Sequence, residues 1–264
     1  MSHKAPKETD LETTRRELGR ARDELARASD DLERFVYITS HDLKEPLRGI
    51  AINAGFLARE ALPPEAEDRV GQIVNLCERM DRMISDLYEL SRIGRPDLAR
   101  VALDPTTLIA AARHELAALL EDRGAVVQVD AALPQVLGDA RLLKQMFRHL
   151  VENAVVYNDT SPPNVTISYL AQVEVAGQRL DDVFTVRDNG IGIAARYHDR
   201  IFHIFTRLHR NGEYGSGTGA GLALVEKIIA AHGGTVTVES MGEGEGGTTF
   251  YLTLPLAAHA TDDA

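Results

Sequence analysis

The segment SHDLKEP (40–46) places a histidine, a carboxylate and a proline close together in a stretch whose apolar residues recur at helical spacing. A neutral imidazole is a competent nucleophile near neutral pH, and Asp42 beside His41 can orient the ring. Pro46 cannot donate to the carbonyl of Asp42, so it is expected to kink the helix next to His41. The pattern predicts a nucleophile on a locally strained helix.

Two glycine-rich segments form a second chemical candidate. DNGIGI (188–193) follows a predicted strand, and GSGTGAGLAL (215–224) leads into a predicted helix. Free backbone amides and the dipole at a helix N-terminus favour phosphate. One such segment is equally typical of a flexible loop, but the two together, preceded by the helix HLVENAVVYN (149–158), predict a nucleotide site.

The N-terminal part that must position His41 shows two interleaved series of residues seven apart, all apolar except Thr14. The series are Leu11, Leu18, Leu25 and Leu32, and Thr14, Ala21, Ala28 and Phe35. They predict a coiled coil over 10–35. The apolar positions then change phase and become Val36, Leu43, Leu47, Ile50, Ala54 and Leu57. This stutter puts Ser40 and Leu43 in the seam and His41 on the outer face.

A second helix follows the break at LPPEAED (62–68). Its apolar seam consists of Val70, Ile73, Cys77, Met80, Ile84 and Leu87. Two antiparallel amphipathic helices cannot bury both stripes alone, so residues 36–93 are predicted to close as a homodimeric four-helix bundle. Cys77 is the only cysteine, which excludes an internal disulfide, and its place on the stripe predicts a buried structural thiol.

The rest of the chain alternates between helical and strand patterns after a predicted linker at 94–104. Helices are predicted near 105–121, 139–157, 194–207 and 220–232, and strands at 125–130, 164–170, 182–188, 234–240 and 248–255. This order predicts an α/β sandwich over 105–256 whose last two strands form a hairpin. Residues 1–9 and 257–264 are predicted to be disordered ends.

Composition narrows the function. A net charge of −11 and a pI near 5.3 argue against a surface that binds nucleic acid or anionic lipid. The sequence shows no run of about 18 apolar residues and no signal segment, so a cytoplasmic protein that does not engage the membrane is expected. Proteins and small molecules are the expected partners.

In this order the motifs resemble those of sensor histidine kinases of bacterial two-component systems, over about residues 30–256. The matching motifs are FVYITSHDLKEPL, HLVENAVVYN, RDNGIGI, RIFHIFTRL, GTGAGLAL and GEGGTTFYLTLP. The form HDLKEPLR is closest to kinases attached to phytochrome-like and other cytoplasmic sensors. The resemblance implies a Bergerat ATP-binding fold, ATP and Mg²⁺, a response-regulator receiver domain as partner, and a sensor domain that is missing here or resides on another chain.

The resemblance also implies roles for individual residues. His41 would be phosphorylated on a ring nitrogen, with Asp42 as its orienting or general-base partner. Asn153 would ligate Mg²⁺, and Glu152 would help to position the metal or its water. Asp188 would accept a hydrogen bond from the adenine amino group.

The remaining implied site residues surround the nucleotide. They are Gly190, Gly192 and Tyr157 at the base, Thr249 in the last motif, Gly217, Gly219 and Gly221 in a lid over the phosphates, and Phe202 and Phe205 as lid anchors.

Two positions depart from the family pattern. His149 stands where the family usually has Asn, and Val156 where it often has a phosphate-side Lys, a charge that Arg148 or Lys144 could replace. Three hypotheses stay open: a histidine autokinase, a degenerate kinase-like scaffold that binds nucleotide weakly, and a chaperone-type or mismatch-repair-type ATPase. The hairpin that carries His41 argues against the third.

Overall fold

The computed structural model of the chain describes residues 5–60, 62–93, 98–130, 133–209, 214, 217–240, 242 and 246–257. Within the first helix, side chains are described at 15, 19–20, 27–28 and from 31 onward. The chain divides into two compact units, Met1–Arg92 and Ile93–Ala264.

The first unit is a helical hairpin of α1 (Ala5–Leu57) and α2 (Pro64–Arg92). Residues 5–9, predicted to be disordered, are the start of α1, so that prediction was wrong there; residues 1–4 lie outside the described part. Helix α1 continues through Pro46, and the kink expected there stays a prediction. The coiled-coil seam from Leu11 to Leu25 also stays a prediction, because its side chains lie outside those described.

The apolar seam of the hairpin divides into two faces. Buried between the helices are Val36, Ser40, Leu47 and Ala54 on α1 and Val70 and Cys77 on α2. Exposed are Leu43, Ile50 and Leu57 on α1 and Ile73, Met80 and Leu87 on α2. The sequence predicted one continuous stripe. In the structure Ser40, Leu47 and Ala54, seven apart, face the neighbouring helix, and the exposed members form an uncovered apolar face. The predicted seam residue Ile84 is half-buried. The prediction that Cys77 is a buried free thiol is confirmed.

One hydrogen bond and one aromatic contact join the two helices, one on each side of His41. On one side, Lys44 Nζ donates to Ser85 Oγ across 2.8 Å. On the other, the Tyr37 and Tyr88 rings lie 5.7 Å apart, and the Arg92 guanidinium covers the Tyr88 ring. These two contacts fix the position of α2 along α1 on both sides of the turn that carries His41.

In its described residues, the second unit contains seven strands and four α-helices. The strands are β1 (Val101–Leu103), β2 (Val126–Val129), β3 (Val136–Gly138), β4 (Asn164–Val175), β5 (Gln178–Asp188), β6 (Val236–Ser240) and β7 (Thr248–Thr253). The main sheet has the order β2-β4-β5-β7-β6, in which only the β2–β4 pair is parallel. The predicted hairpin of the last two strands is confirmed.

Strands β1 and β3 form a separate two-stranded sheet that the sequence did not predict. Three residues are too few to show alternation, and β1 lies within the predicted linker 94–104. Residues 94–97 of that linker lie outside the described part. At the other end, Ala257 N donates to Gln135 O, so the chain stays ordered one residue into the predicted tail; 258–264 are outside the described residues.

The helices are α3 (Pro105–Glu115), α4 (Ala117–Asp122), α5 (Ala140–Val156) and α6 (Gly221–Ala231). Asp104 and Asp139 cap the N-termini of α3 and α5 by accepting backbone amide hydrogen bonds. The helix predicted over 194–207 is wrong: the structure has two short 3₁₀ turns, Ala195–Tyr197 and Arg200–Phe202. Local packing overrides the helical pattern, since Phe205 turns the chain with a φ of +62°.

Helices α5 and α6 bury their apolar faces against the sheet. The fully buried side chains include Leu143, Met146, Phe147, Leu150, Ile167, Phe184, Leu224, Ile228, Ile229 and Leu252. His232 joins the two helices, because Nδ1 donates to Ile228 O and Nε2 accepts from Asp139 N. In the described part of the chain, no helix has the length and apolarity needed to cross a membrane.

Candidate functional site

His41 lies on the outer face of α1, as the phase of the helix predicts. The side chains of His41 and Asp42 are each 71% exposed, and Nδ1 lies 3.4 Å from Asp42 Oδ1. This contact orients the ring through Nδ1 and leaves Nε2 for chemistry. The arrangement suits a nucleophile that must meet a substrate delivered from elsewhere.

Asp188 is the last residue of β5 in the second unit. Its side chain is only 9% exposed, and Oδ1 accepts from the amides of Gly190 at 2.8 Å and Thr248 at 3.1 Å. Burial raises the pKa of Asp188 to about 6, although the two amides act in the opposite direction. Because both amides contact Oδ1, Oδ2 is the oxygen that can accept from a ligand's amino group.

Glycines surround Asp188 because the backbone packs too closely for a side chain. A Cβ on Gly190 would overlap the Tyr157 carbonyl and lie 2.9 Å from Asp188 Oδ1. A Cβ on Gly192, which has a φ of +75°, would overlap the Gly242 carbonyl. A Cβ on Gly247 would likewise overlap the backbone carbonyl of Asp188. The predicted roles of Gly190 and Gly192 in shaping this region therefore have a steric basis.

The last motif contributes the backbone amide of Thr248 to the surroundings of Asp188. Thr248 is buried and its amide donates to Asp188 Oδ1. Neighbouring strand residues point to opposite faces of a sheet, so the half-buried side chain of Thr249 lies on the other face of β7. The role predicted for Thr249 at the nucleotide stays a prediction.

Helix α5 positions the second group of predicted residues. Glu152 Oε2 accepts from Arg148 Nη1 at 2.9 Å, and Asn153 is half-buried on the next position. His149 is buried against the Arg148 guanidinium, with its Nε2 3.1 Å from Nη2. Burial, reinforced by Arg148, lowers the pKa of His149 to about 3, so the ring is uncharged near neutral pH.

The oxygens of Asn153 and Glu152 suit Mg²⁺, a hard cation that takes one or two protein oxygens and completes its shell with phosphate and water. Of the two cations that could replace the missing Lys, Lys144 is paired with Glu115 on α3. Arg148 is the one that lies beside Glu152, next to Asn153. Both cations are ion-paired, and Arg148 is the one whose partner belongs to the group of predicted metal-site residues.

The three predicted lid glycines differ in how they pack. A Cβ on Gly219, where φ is +84°, would lie 2.6 Å from the Thr206 carbonyl, and one on Gly221 would lie 3.3 Å from His149 Nδ1. Gly217 is exposed and has nothing within 4 Å of a Cβ position. Only the first two have a packing reason to be glycine. Residues 210–213 and 215–216 of this region lie outside the described part.

Tyr157, at the end of α5, belongs to an aromatic cluster that the sequence did not predict. Its ring lies 6.0 Å from that of His209 and 5.7 Å from that of Tyr214, and Tyr214 Oη donates to Asp159. Phe202 and Phe205, the predicted anchors, are half-buried. Scattered aromatics gave no periodic signal, so only the fold could bring these rings together.

Two family models match the chain. The "His Kinase A (phospho-acceptor) domain" matches residues 31–96, and the "Histidine kinase-, DNA gyrase B-, and HSP90-like ATPase" matches residues 138–258. Together they contain both groups of residues described above.

Curated proteins match most of the chain. Cyanobacterial phytochrome B of Nostoc sp. is 38% identical over 226 residues, which are 84% of this chain and 29% of that protein. Sensor-like histidine kinase SenX3 of Mycobacterium tuberculosis is 33% identical over 241 residues, 87% of this chain and 55% of that protein. The chain thus spans less than two thirds of the length of these relatives.

Solved structures agree with the fold. The structure entitled "Crystal structure of ShkA full-length in complex with AMPPNP" has a TM-score of 0.60 and 26% identity, covering 84% of this chain and 45% of that one. Acinetobacter baumannii histidine kinase AdeS, at 21% identity and a TM-score of 0.55, covers 82% of this chain and 98% of that one, and shows the fold alone.

Proposed function

The chain belongs to the sensor histidine kinases of two-component systems, and from that premise we propose that it uses ATP to phosphorylate its own His41 and passes the phosphoryl group to an aspartate of a response-regulator receiver domain. One observation carries the proposal: a single chain holds a 71% exposed His–Asp pair on a helical hairpin and, in its α/β unit, a buried carboxylate surrounded by glycines. An ATPase of chaperone or mismatch-repair type has no use for the first, and a degenerate scaffold has no need of both.

The pocket residues would bind and position ATP. Asp188 Oδ2 would accept from the adenine amino group, with Tyr157 beside the base. Asn153, assisted by Glu152, would hold Mg²⁺, which neutralises phosphate charge when bound. Phosphoryl transfer requires mainly positioning and charge neutralisation from the protein, and Arg148 adds a positive charge beside these residues.

His41 supplies the nucleophile. With its proton on Nδ1 facing Asp42, the lone pair of Nε2 attacks the γ-phosphorus while the bond to the bridging oxygen breaks and ADP leaves. The Nδ1 proton of the phosphorylated ring passes to Asp42. In the transfer step a carboxylate oxygen of the receiver aspartate bonds to phosphorus while the Nε2–P bond breaks, which forms an acyl phosphate. Asp42 returns its proton to Nδ1, so the neutral ring is regenerated.

We propose a homodimer on the evidence of the uncovered apolar face of the hairpin. Leu43, Ile50 and Met80 are each about half exposed, at spacings that suit a second hairpin. Ile50→Asp is expected to yield monomers in analytical ultracentrifugation, because a buried unpaired carboxylate is costly. Arg48→Asp, a neighbouring exposed position, is the matched control and should stay dimeric. A dimeric Ile50→Asp variant would contradict this face as the interface.

The remaining parts of the proposal concern context. We propose that the protein acts in the cytoplasm and receives its signal through α1 from a sensor module outside these 264 residues. The similarity to cyanobacterial phytochromes supports a sensor of that general type.

The decisive experiment is incubation with γ-labelled ATP and Mg²⁺. We expect a label that acid removes and base does not, as for a phosphoramidate, and that His41→Ala abolishes. His114→Ala, at an exposed helical histidine of the second unit, should label like the wild type. Base-stable, acid-labile label on the His41→Ala protein would refute the assignment.

A further inference from the structure

Asn158, two residues after the end of α5, is a buried asparagine whose side-chain oxygen and nitrogen both make hydrogen bonds. Its side chain is 0% exposed. Nδ2 donates to Ala154 O at 3.1 Å and to Asn189 Oδ1 at 2.9 Å, and Oδ1 accepts from the amide of Thr160 at 3.0 Å. A carbonyl only accepts and an amide only donates, so the orientation of the Asn158 side chain is fixed.

Asn189 is the second member of the pair and follows Asp188 directly. Its Oδ1 accepts from Asn158 Nδ2 and, at 2.7 Å, from the amide of Asn164. Its Nδ2 makes a longer bond of 3.3 Å to Pro162 O at the exposed rim. The pair therefore joins the end of α5, the start of β4 and the end of β5.

This junction lies next to the groups that hold Asp188. A Cβ added to Gly190 would lie 3.5 Å from Asn158 Nδ2. The Gly190 amide, which directly follows Asn189 in the chain, donates to Asp188 Oδ1. A displacement of Asn158 or Asn189 would move Gly190, and Gly190 would carry Asp188 with it. The same junction fixes the last turn of α5, which follows Asn153.

We propose that Asn158 and Asn189 are positioning residues that fix Asp188 and so set the preference of the pocket for adenine over guanine. The inference rests on the proposed function. Adenine presents an amino group where guanine presents a carbonyl, and a carboxylate held in place attracts the first and repels the second. A carboxylate free to turn away or admit water loses discrimination faster than it loses affinity.

The hydrogen-bond directions predict opposite outcomes for two isosteric substitutions of equal charge. Asn189→Asp keeps the oxygen that accepts from Asn158 and Asn164 and loses only the rim bond. Asn158→Asp places an oxygen against two acceptors, Ala154 O and Asn189 Oδ1. Size and charge alone would make the two variants alike.

The experiment measures the dissociation constants of ATP and GTP for the full chain by calorimetry at about pH 8, well above the pKa of about 6 of Asp188. The measure of discrimination is the dissociation constant of GTP divided by that of ATP. We expect this ratio to fall by at least about tenfold in Asn158→Asp and Asn189→Ala, and to stay within about threefold of the wild type in Asn189→Asp. Thermal unfolding is followed in parallel, because a structural role alone would lower stability and leave the ratio unchanged.

Equal ratios in the two Asp variants, or an unchanged ratio in Asn189→Ala, would overturn the inference. So would a wild-type protein that binds both nucleotides equally, since there would be no preference to maintain. If Asn158→Asp fails to fold, Asn189→Ala against Asn189→Asp carries the test. A wild type that binds neither nucleotide would instead overturn the proposed function.

Discussion

The turn of α1 around His41 and the pocket around Asp188 each depend on a carboxylate, in opposite surroundings. Asp42 is 71% exposed and touches one imidazole, whereas Asp188 is 9% exposed and accepts two backbone amides. In the proposed function His41 meets a phosphate and then a receiver, and for that it needs access. Asp188, which is proposed to recognise a small base, needs a fixed position. Helix phase provides the first, and close backbone packing provides the second.

The contrast is tested most severely by adding one methyl group in each region. Gly190→Ala should lower the free energy of unfolding by roughly 1–3 kcal/mol and abolish measurable ATP binding, since its Cβ would overlap the Tyr157 carbonyl. Gly49 lies on α1, and a Cβ added there would have no atom within 4 Å. Gly49→Ala should therefore raise the free energy of unfolding by roughly 0.5–1 kcal/mol. Chemical denaturation and calorimetry measure both. Similar stabilities for the two variants would show that the pocket is not closely packed.

Removing one charge in each region should separate binding from chemistry. Asp188→Asn should weaken ATP binding roughly ten- to hundredfold, because an amide donor then faces the adenine amino group. Asp42→Asn should leave ATP affinity unchanged and slow the labelling of His41. Calorimetry and single-turnover labelling measure the two effects. Loss of ATP affinity in Asp42→Asn would contradict the separation.

The pKa of Asp188, raised by burial to about 6 from a model-compound value of 3.8, predicts two opposite pH dependences. Between these values the folded pocket keeps a proton that the unfolded chain releases, so this group's contribution to stability falls as pH rises towards 6. ATP binding needs the carboxylate and should strengthen over the same range. Melting curves and titrations at several pH values measure both. Asp188→Asn is the control, and an unchanged pH dependence in that variant would assign the effect to another group.

The smallest expected effect concerns Val156, half-buried in the last turn of α5. Val156→Lys should tighten ATP binding by about 1 kcal/mol, or roughly fivefold, by adding a cation near the phosphates. Val156→Met adds an unbranched, uncharged side chain of nearly the same length and should change ATP affinity little. A gain that persists in high salt would mean that packing, and not charge, is responsible.

Regular elements with a strong period were predictable from sequence. The hairpin, the outward position of His41, helices α5 and α6 and the final strand pair follow from apolar spacing over many residues. The three-residue strands β1 and β3 were missed because so short a segment shows no period. The false helix at 194–207 had a helical pattern that the tertiary turn at Phe205 overrode.

The candidate site divides in the same way. Asp188 and the glycines beside it were identified from motifs, but whether Thr248 or Thr249 meets Asp188 depends on strand register, which one residue decides. Asn158 and Asn189 were missed because their role comes from contacts across three elements distant in sequence. The motifs indicate which chemistry is present, and the contacts determine its geometry.

The aromatic cluster of Tyr157, His209 and Tyr214 has an optical consequence. The chain contains no tryptophan, so its intrinsic fluorescence comes from seven tyrosines, two of which lie in this cluster beside a ring that can quench them. A tryptophan at position 214 would be the sole indole in the protein and could be excited without any tyrosine. The wavelength of its emission maximum would then report, in real time and without a label, on solvent access to the end of α5 where we propose that the base binds.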